Sequence, residues 1–337
     1  MFINKNIVEV MRKVIKVFLS FLEIFSNYFI TYHIRPKLSE DVALKLKSSN
    51  DFESKNIGIV MQGPLVLKES LTLETLKLYV MFFPSYKLIL STWHDEDLIT
   101  LNIIRKLGVD VVLNEKPVMA GIANVNFQIV SSSEGIKRAK TLGCEYVLKT
   151  RTDQRIYSRE GISFCYAAIK KFPLLKKFDQ KERIISFNLN TFMYRPYGIS
   201  DMINFGYIDD MSKYWCVKLD LRSQKDLKEY STLLEFSQQR LAEVYFLTSF
   251  LDNINRGLSW TLEDSWKVMS ENFCILNTSD IDLFWKKYTN KEFRHEDYKA
   301  IHNKQFNFSD WLIFQDQLPI DIPEYIINIR LDQLDSF

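Results

Sequence analysis

The sequence predicts an α/β protein built on a mostly parallel sheet flanked by helices. Three observations carry this. Four short runs, Ile57 to Met61, Leu88 to Leu90, Val111 to Leu113 and Tyr146 to Leu148, are apolar throughout. Strands apolar on both faces belong in a parallel sheet covered by helices. Each run then breaks into a polar cluster, and the intervals between runs are long enough for crossover helices. In open α/β sheets ligands bind outside the carboxyl ends of the strands, so the polar clusters fall on the ligand side.

The elements follow in order. Residues 6–31 carry Ile7, Met11, Ile15, Phe18, Leu22, Phe25 and Phe29 at helical spacing, opposite Glu9, Lys13, Lys16, Ser20, Glu23 and Asn27. This is an amphipathic helix with a wide apolar face. Lys16 and Glu23 interrupt the run of ~20 apolar residues that a membrane span needs. No small-residue cleavage site marks a secretory signal. A helix lying on an anionic membrane surface, served by Lys5, Arg12, Lys13 and Lys16, and a helix packed on the domain or a partner fit the pattern equally. Arg35-Pro36 ends it, and residues 37–56 read as a linker or short helix. The α/β region begins near Asn56. Beyond the fourth strand come a helix over Gly161 to Phe172, a strand over Arg183 to Phe187 and an aromatic, turn-rich stretch from Phe192 to Trp215. A helix over 226–255 is stopped by Gly257. The last eighty or so residues hold Trp260, Trp266, Trp285 and Trp311 without clear periodicity and are expected to wrap the core. The chain thus divides into residues 1–50, helix and linker, and residues 51–337, the α/β domain.

Composition narrows the function. The chain has 337 residues, 47% hydrophobic and 26% charged, with net charge +2. That balance is ordinary for a globular protein and argues against a nucleic-acid surface built on bulk charge. Cys144, Cys165, Cys216 and Cys274 form no CxxC pair, so neither a zinc ribbon nor a redox motif is expected. There is no GxGxxG, no P-loop and no GxSxG elbow.

The densest chemistry lies in Glu145 to Tyr157. If the strand extends past Leu148, alternate residues Lys149, Arg151, Asp153 and Arg155 share a face. Three cations and one carboxylate suit a phosphate and its metal ion. Asp153 fits a divalent metal bridging a diphosphate; an ion pair with Arg151 or Arg155, or a helix cap, explains it as well. Arginine forks suit phosphate, although most charge runs are solvated edges. Gln62-Gly63-Pro64 offers an amide and a close backbone approach, or a plain turn. Asn124, Asn126 and Gln128 gather amides at a helix amino end, where anions are favoured; Asn126 alone would serve as a cap. Asp201 and Glu243 are candidate bases, with a turn carboxylate and an exposed helix residue as the plain alternatives. His295, Asp297 and His302 match no zinc spacing.

The segments IGIVMQGPL, ILSTW, LNEKP, GIANVNFQI, YVLKTRTDQRIY, SDMINFGYIDDMSKYW and LAEVYFLTSFL, taken together in order, resemble the WavE-type lipopolysaccharide synthesis family over about residues 56–305. The resemblance implies a GT-A-like, Rossmann-type glycosyltransferase, with a donor half at about 56–190 and an acceptor half at about 191–337. It implies a nucleotide-sugar donor and a glycan or lipid-linked acceptor of a surface polysaccharide, lipopolysaccharide or capsule. Gln62, Thr92, Trp93 and Asn114 then shape the nucleotide pocket, with Gly63 and Pro64 as further substrate-binding positions. Asn124, Asn126 and Gln128 serve the substrates, and Lys149, Arg151 and Arg155 the diphosphate. Asp201 and Glu243 fall in the acceptor and general-base regions. Such enzymes hold Mn2+ or Mg2+ with an Asp-x-Asp; here the triplet is Arg151-Thr152-Asp153, so Asp153 is the one ligand left and metal dependence stays open. The expected location is cytoplasmic, with contact to the inner face of the membrane if residues 6–31 lie on it. A nucleotidyl- or phosphotransferase on the same site and a non-catalytic membrane-associated assembly protein are the alternatives.

Overall fold

The structure, a computed structural model, describes residues 5–25, 35–43, 56–174, 178–286, 304–315 and 322–334. The chain opens with α1 (Lys5–Phe25) and α2 (Ser39–Ala43). A regular alternation follows: β1 (Ile57–Gln62), α3 (Leu71–Phe82), β2 (Lys87–Trp93), α4 (Leu98–Lys106), β3 (Asp110–Asn114), α5 (Val125–Thr141) and β4 (Tyr146–Arg151). Then come β5 (Gln154–Ile156), α6 (Gly161–Lys171), β6 (Ile184–Phe187), β7 (Asn204–Tyr207) and α7 (Ile208–Trp215). The last part holds α8 (Leu233–Gln238), α9 (Ala242–Asn253), α10 (Leu262–Asn272), β8 (Phe273–Leu276), β9 (Leu283–Trp285) and α11 (Phe308–Gln315).

The expected mostly parallel α/β sheet is present. Seven strands lie in the order β3-β2-β1-β4-β7-β6-β8. Neighbours β3, β2, β1 and β4 pair in parallel. Strand β7 runs antiparallel to both β4 and β6, and β8 returns parallel to β6. The register brings the first four strands to one edge: Gln62 pairs with Ser91 and with Arg151, and Trp93 with Asn114. The polar strand ends therefore share one side of the sheet, where the connecting loops can build a site.

Helix α5 lies across β1 and β2, and Gly135 makes the crossing close. A Cβ there would sit 2.4 Å from Val60 Cγ1 and 3.1 Å from Ser91 Cβ. Asp97 caps α4 by accepting from Thr100 N at 2.7 Å, and Arg105 and Lys106 fill its last turn, favourable to the helix dipole. The helix and strand expected at 161–172 and 183–187 are α6 and β6.

Two expectations are corrected. The helix expected over 226–255 is two helices, α8 and α9, with Arg240 at φ 50° between them. Its stop is Asn255, at φ 57°, and not Gly257; Arg256 N donates to Leu251 O at 2.9 Å, as in a Schellman end. The C-terminal region does more than wrap the core. It supplies β8 to the main sheet and β9 to a two-stranded sheet with β5. Trp311 Nε1 donates to Met269 O and Phe273 O, and Trp266 Nε1 to Met193 O.

Residues 35–43, which include the start of the stretch expected as linker, dock on the domain. Arg35 pairs with Asp282, and Ser39 donates to Glu74 from both N and Oγ. Helix α1 presents Val14, Val17, Phe18, Phe21, Ile24 and Phe25 to solvent. No helix among the described residues is long and apolar enough to cross a membrane. The cysteines are free thiols. His295, Asp297 and His302, and Asn27 and Phe29 of the expected amphipathic helix, lie outside the described residues.

The Gly135→Ala protein tests the α5 crossing. Overpacking against Val60 should cost about 1–3 kcal/mol, more than the gain from replacing a helical glycine. A lower urea midpoint with unchanged m-value is the expected result.

Candidate active site

Strand β4 carries the site's charged residues, but its extension ends early. A turn at Thr152-Asp153 separates β4 from β5, so Lys149, Arg151, Asp153 and Arg155 do not form one row. Arg155 is about 1% exposed and faces a different neighbourhood. Its guanidinium donates to Thr75 Oγ1 at 2.9 Å and to Lys37 O at 2.7 Å. It fastens the 35–43 segment to the domain and takes no part in the cavity described below. Extrapolating an alternating pattern through a turn misplaced it.

Lys149 is fully buried. Its Nζ donates to Asp201 O at 2.6 Å and lies 3.9 Å from the centre of the Trp215 ring. Burial drives its pKa well below the ordinary lysine value, although the nearby Asp201 charge opposes this. Lys149 is thus a strut beneath the Asp201 loop.

Arg151 ends β4 and turns back onto Asp153. Its Nε donates to Asp153 Oδ1 at 2.8 Å, and its Nη2 to Oδ2 at 2.9 Å. Trp285 Nε1, from β9, donates to the same Oδ2 at 3.0 Å. Burial alone would raise the Asp153 pKa, but Arg151 and then Trp285 outweigh it and hold it below the usual value. The ion pair that competes with a metal role is therefore formed. Both oxygens are engaged, and among the described residues no group of three or more His, Cys, Asp or Glu could hold a metal. The donor set at Asp153 does not fit a divalent ion.

At the same edge of the sheet is a cavity of about 260 Å3. Asn124, Gln128, Arg151, Asp201 and Glu243 line it, together with Asn190, Met202 and Trp285. Five sequence candidates from four distant segments thus meet. Gln128 Nε2 donates to Asp201 Oδ2 at 2.7 Å and to Asp201 O at 3.2 Å. Asp201 is only 6% exposed, with its backbone held by Lys149 and Gln128. Glu243 stands half-buried in the first turn of α9, where the helix dipole favours a carboxylate. Ala123, Asn124 and Asn190 all have left-handed φ, at 53°, 62° and 62°. Such strained residues concentrate at functional sites.

The remaining candidates support the edge from behind. Gln62 Oε1 accepts from Ser131 Oγ of α5 at 2.6 Å. Gly63, at φ 115°, comes close to Thr152, whose Oγ1 would be 3.1 Å from an added Cβ; Pro64 is exposed. Thr92 donates to Glu96, and Asn114 Nδ2 donates to Ser91 Oγ and Thr92 O. Trp93 is buried edge-on against Phe127. Asn126 spends its whole amide on the chain, donating to Met119 O and Asp220 O and accepting from Asp220 N. None of these lines the cavity.

Sequence reasoning missed Asn190 and Trp285. An asparagine in a turn is a weak signal for left-handed φ. Trp285 carries no local signal, since it reaches Asp153 across 132 residues. A larger cavity, about 420 Å3, is lined by Lys170, Phe178, Lys181 and Glu182. It lies at the opposite, amino end of β4, where Tyr146 donates to Glu182. Position at the carboxyl edge, with converging polar groups, favours the smaller one as the functional site.

A polar cavity at the carboxyl edge of a mostly parallel sheet marks an α/β enzyme. The chain belongs to the WavE lipopolysaccharide synthesis family, whose pattern matches residues 57–321. No curated protein matches it. Among solved structures, a cytidylyltransferase from Leptospira borgpetersenii is similar at 13% identity over 82% of this chain and 98% of that one, with a TM-score of 0.34. S. aureus TarS 1-349 is similar at 10% identity over 64% and 70%, with a TM-score of 0.35. A mannose-1-phosphate geranyltransferase from Thermus thermophilus is similar at 16% identity and a TM-score of 0.26, over 40% of this chain and only 41% of its own length.

The buried lysine makes a pH prediction. The Lys149 pKa is lower in the folded chain, so between that value and the unfolded value of roughly 10.4 the unfolded chain binds more protons and native stability rises with pH. Lys149→Met lacks this term. As pH rises from about 7 to about 10, urea midpoints should shift in favour of the wild type relative to the variant; parallel pH dependences would contradict the assignment.

Proposed function

We propose that this chain is a glycosyltransferase of bacterial surface-polysaccharide synthesis. It moves a sugar from a nucleoside diphosphate donor to a glycan or lipid-linked acceptor. The observation that carries the reading is the meeting of Arg151 with Asp201 and Glu243 at one cavity, in a chain of the WavE family. The sheet order and the single reversed strand next to β4 are consistent with a GT-A-like core.

The chemistry needs two things on opposite sides of the sugar. As the bond from the anomeric carbon to the diphosphate oxygen breaks, its electron pair leaves with the nucleoside diphosphate. Hydrogen-bond donors on that side stabilise the growing charge, and Arg151 supplies them. The acceptor hydroxyl oxygen forms the new bond to the anomeric carbon, and its proton passes to a carboxylate base. For a reaction that inverts the anomeric centre, Glu243 is that base. Asp201 is the poorer base because its carboxylate accepts from Gln128 and its backbone is pinned. It is suited to orient an acceptor hydroxyl.

Helix α1 supports peripheral membrane contact, close to a lipid-linked acceptor. Its exposed apolar side chains cover a broad arc, wider than the narrow seam of a two-stranded coiled coil, and Lys13 and Lys16 flank it.

Two experiments test these assignments. With the nucleotide sugar selected by a thermal-shift screen, Glu243→Gln should lower kcat by roughly 10²–10⁴-fold and leave donor KM nearly unchanged; turnover at the wild-type rate rejects Glu243 as base. The Val17→Asp/Phe21→Asp double variant should stay in the supernatant when wild type sediments with vesicles rich in anionic phospholipid. Equal sedimentation of the two proteins would reject α1 as the membrane contact.

A further inference from the structure

We infer that Arg151 is a built-in cation that binds the donor diphosphate without a divalent metal, with Asp153 and Trp285 as the residues that position it. This rests on the transferase reading above and specifies how the same site handles the leaving group.

The geometry is that of a guanidinium fixed in advance. Asp153 takes Nε and Nη2 of Arg151 in a two-pronged fork at 2.8 and 2.9 Å. Trp285 closes on the pair from the other sheet. Its Nε1 donates to Asp153 at 3.0 Å, and its ring centre lies 5.8 Å from the Arg151 guanidinium carbon. The turn beneath is tied at both ends: Thr152 N donates to Gln62 O at 3.1 Å, and Lys286 N to Asp153 O at 2.9 Å. Arg151 and Trp285 form walls of the cavity, whereas Asp153 stands behind them. The side chain of Arg151 is 27% exposed and that of Asp153 17%.

This arrangement opposes a metal at the same place. An ion bound by Asp153 would have to displace Arg151 and Trp285 from the carboxylate and would then lie beside a guanidinium of like charge. Arginine instead offers directional N–H donors that match phosphate oxygens. The amino end of α5 adds to them. Ala123, Asn124 and Val125 line the cavity there, and the first turn of α5 has no acidic residue to cancel its positive end. Asp153 contributes orientation, which removes the entropy a mobile arginine would lose on binding.

Calorimetric binding of UDP, GDP, CDP and CMP to the full chain, in EDTA and in Mn2+, tests this. The nucleoside diphosphate that binds should do so in EDTA with affinity within about threefold of that in Mn2+. Arg151→Gln should weaken that metal-free binding by roughly tenfold or more. Asp153→Asn, isosteric and expected to fold, should weaken it less, and in the Arg151→Gln background it should have no further effect, because a positioning residue acts through the residue it holds. Binding only in Mn2+, Arg151→Gln binding as wild type in EDTA, or additive losses in the double variant would each overturn the inference and leave the transferase reading standing. No binding of any of the four nucleotides in either condition would overturn both.

Discussion

The turn at Thr152-Asp153 is the constraint on which the site depends. It stops β4 level with β1 and sends the chain into a second, two-stranded sheet. Asp153 holds it by joining three elements through one carboxylate: the end of β4 through Arg151, the turn itself, and β9 through Trp285. Removing that carboxylate would take a shared acceptor from a guanidinium and an indole N–H in a half-dry environment, a cost of order 1–3 kcal/mol. The same turn diverts Arg155 away from the cavity, to where it anchors the segment carrying α2. Stability and site geometry therefore share one set of contacts.

Beneath the cavity a second device supports the first. Lys149 sits one alternation before Arg151 on β4, so both point to the same face. The first is too deep to touch a ligand. It holds the backbone of Asp201, while Gln128 holds both its backbone and its carboxylate. An amine buried in this way is costly without compensation, and the hydrogen bond to the carbonyl and the contact with the Trp215 ring provide some. Rigid presentation of a carboxylate toward a cavity is a function that offsets such a cost.

The sheet was legible because its strands are apolar on both faces and end abruptly. Those signals are local, and all four strands, α5, α6 and β6 were found within a few residues. The site was partly legible too: Asn124, Gln128 and Arg151 lie at the ends of recognisable elements, and Asp201 and Glu243 stood out as carboxylates in a turn-rich stretch and an expected helix. The remainder was hidden by three physical causes. Period-two reasoning carried past a turn misassigned Arg155, and alternation gives the face but not the depth, so it did not reveal that Lys149 is buried beneath the site. Local helix propensity could not reveal the break at Arg240, whose left-handed backbone depends on its tertiary setting. Strands β7, β8 and β9 are three or four residues long and take their identity from the neighbours they pair with, so Trp285 gave no sign of its place beside Asp153.

Everything functional here turns on the donor sitting at the carboxyl-edge cavity between β4, α5 and α9. Hydrogen exchange of the full chain with and without the preferred nucleotide sugar tests that placement most directly. Protection concentrated in residues 121–128, 151–154, 200–202, 241–244 and 283–286 is the result expected. Protection confined to the loop around Lys170 and Glu182, at the other end of the sheet, would contradict it.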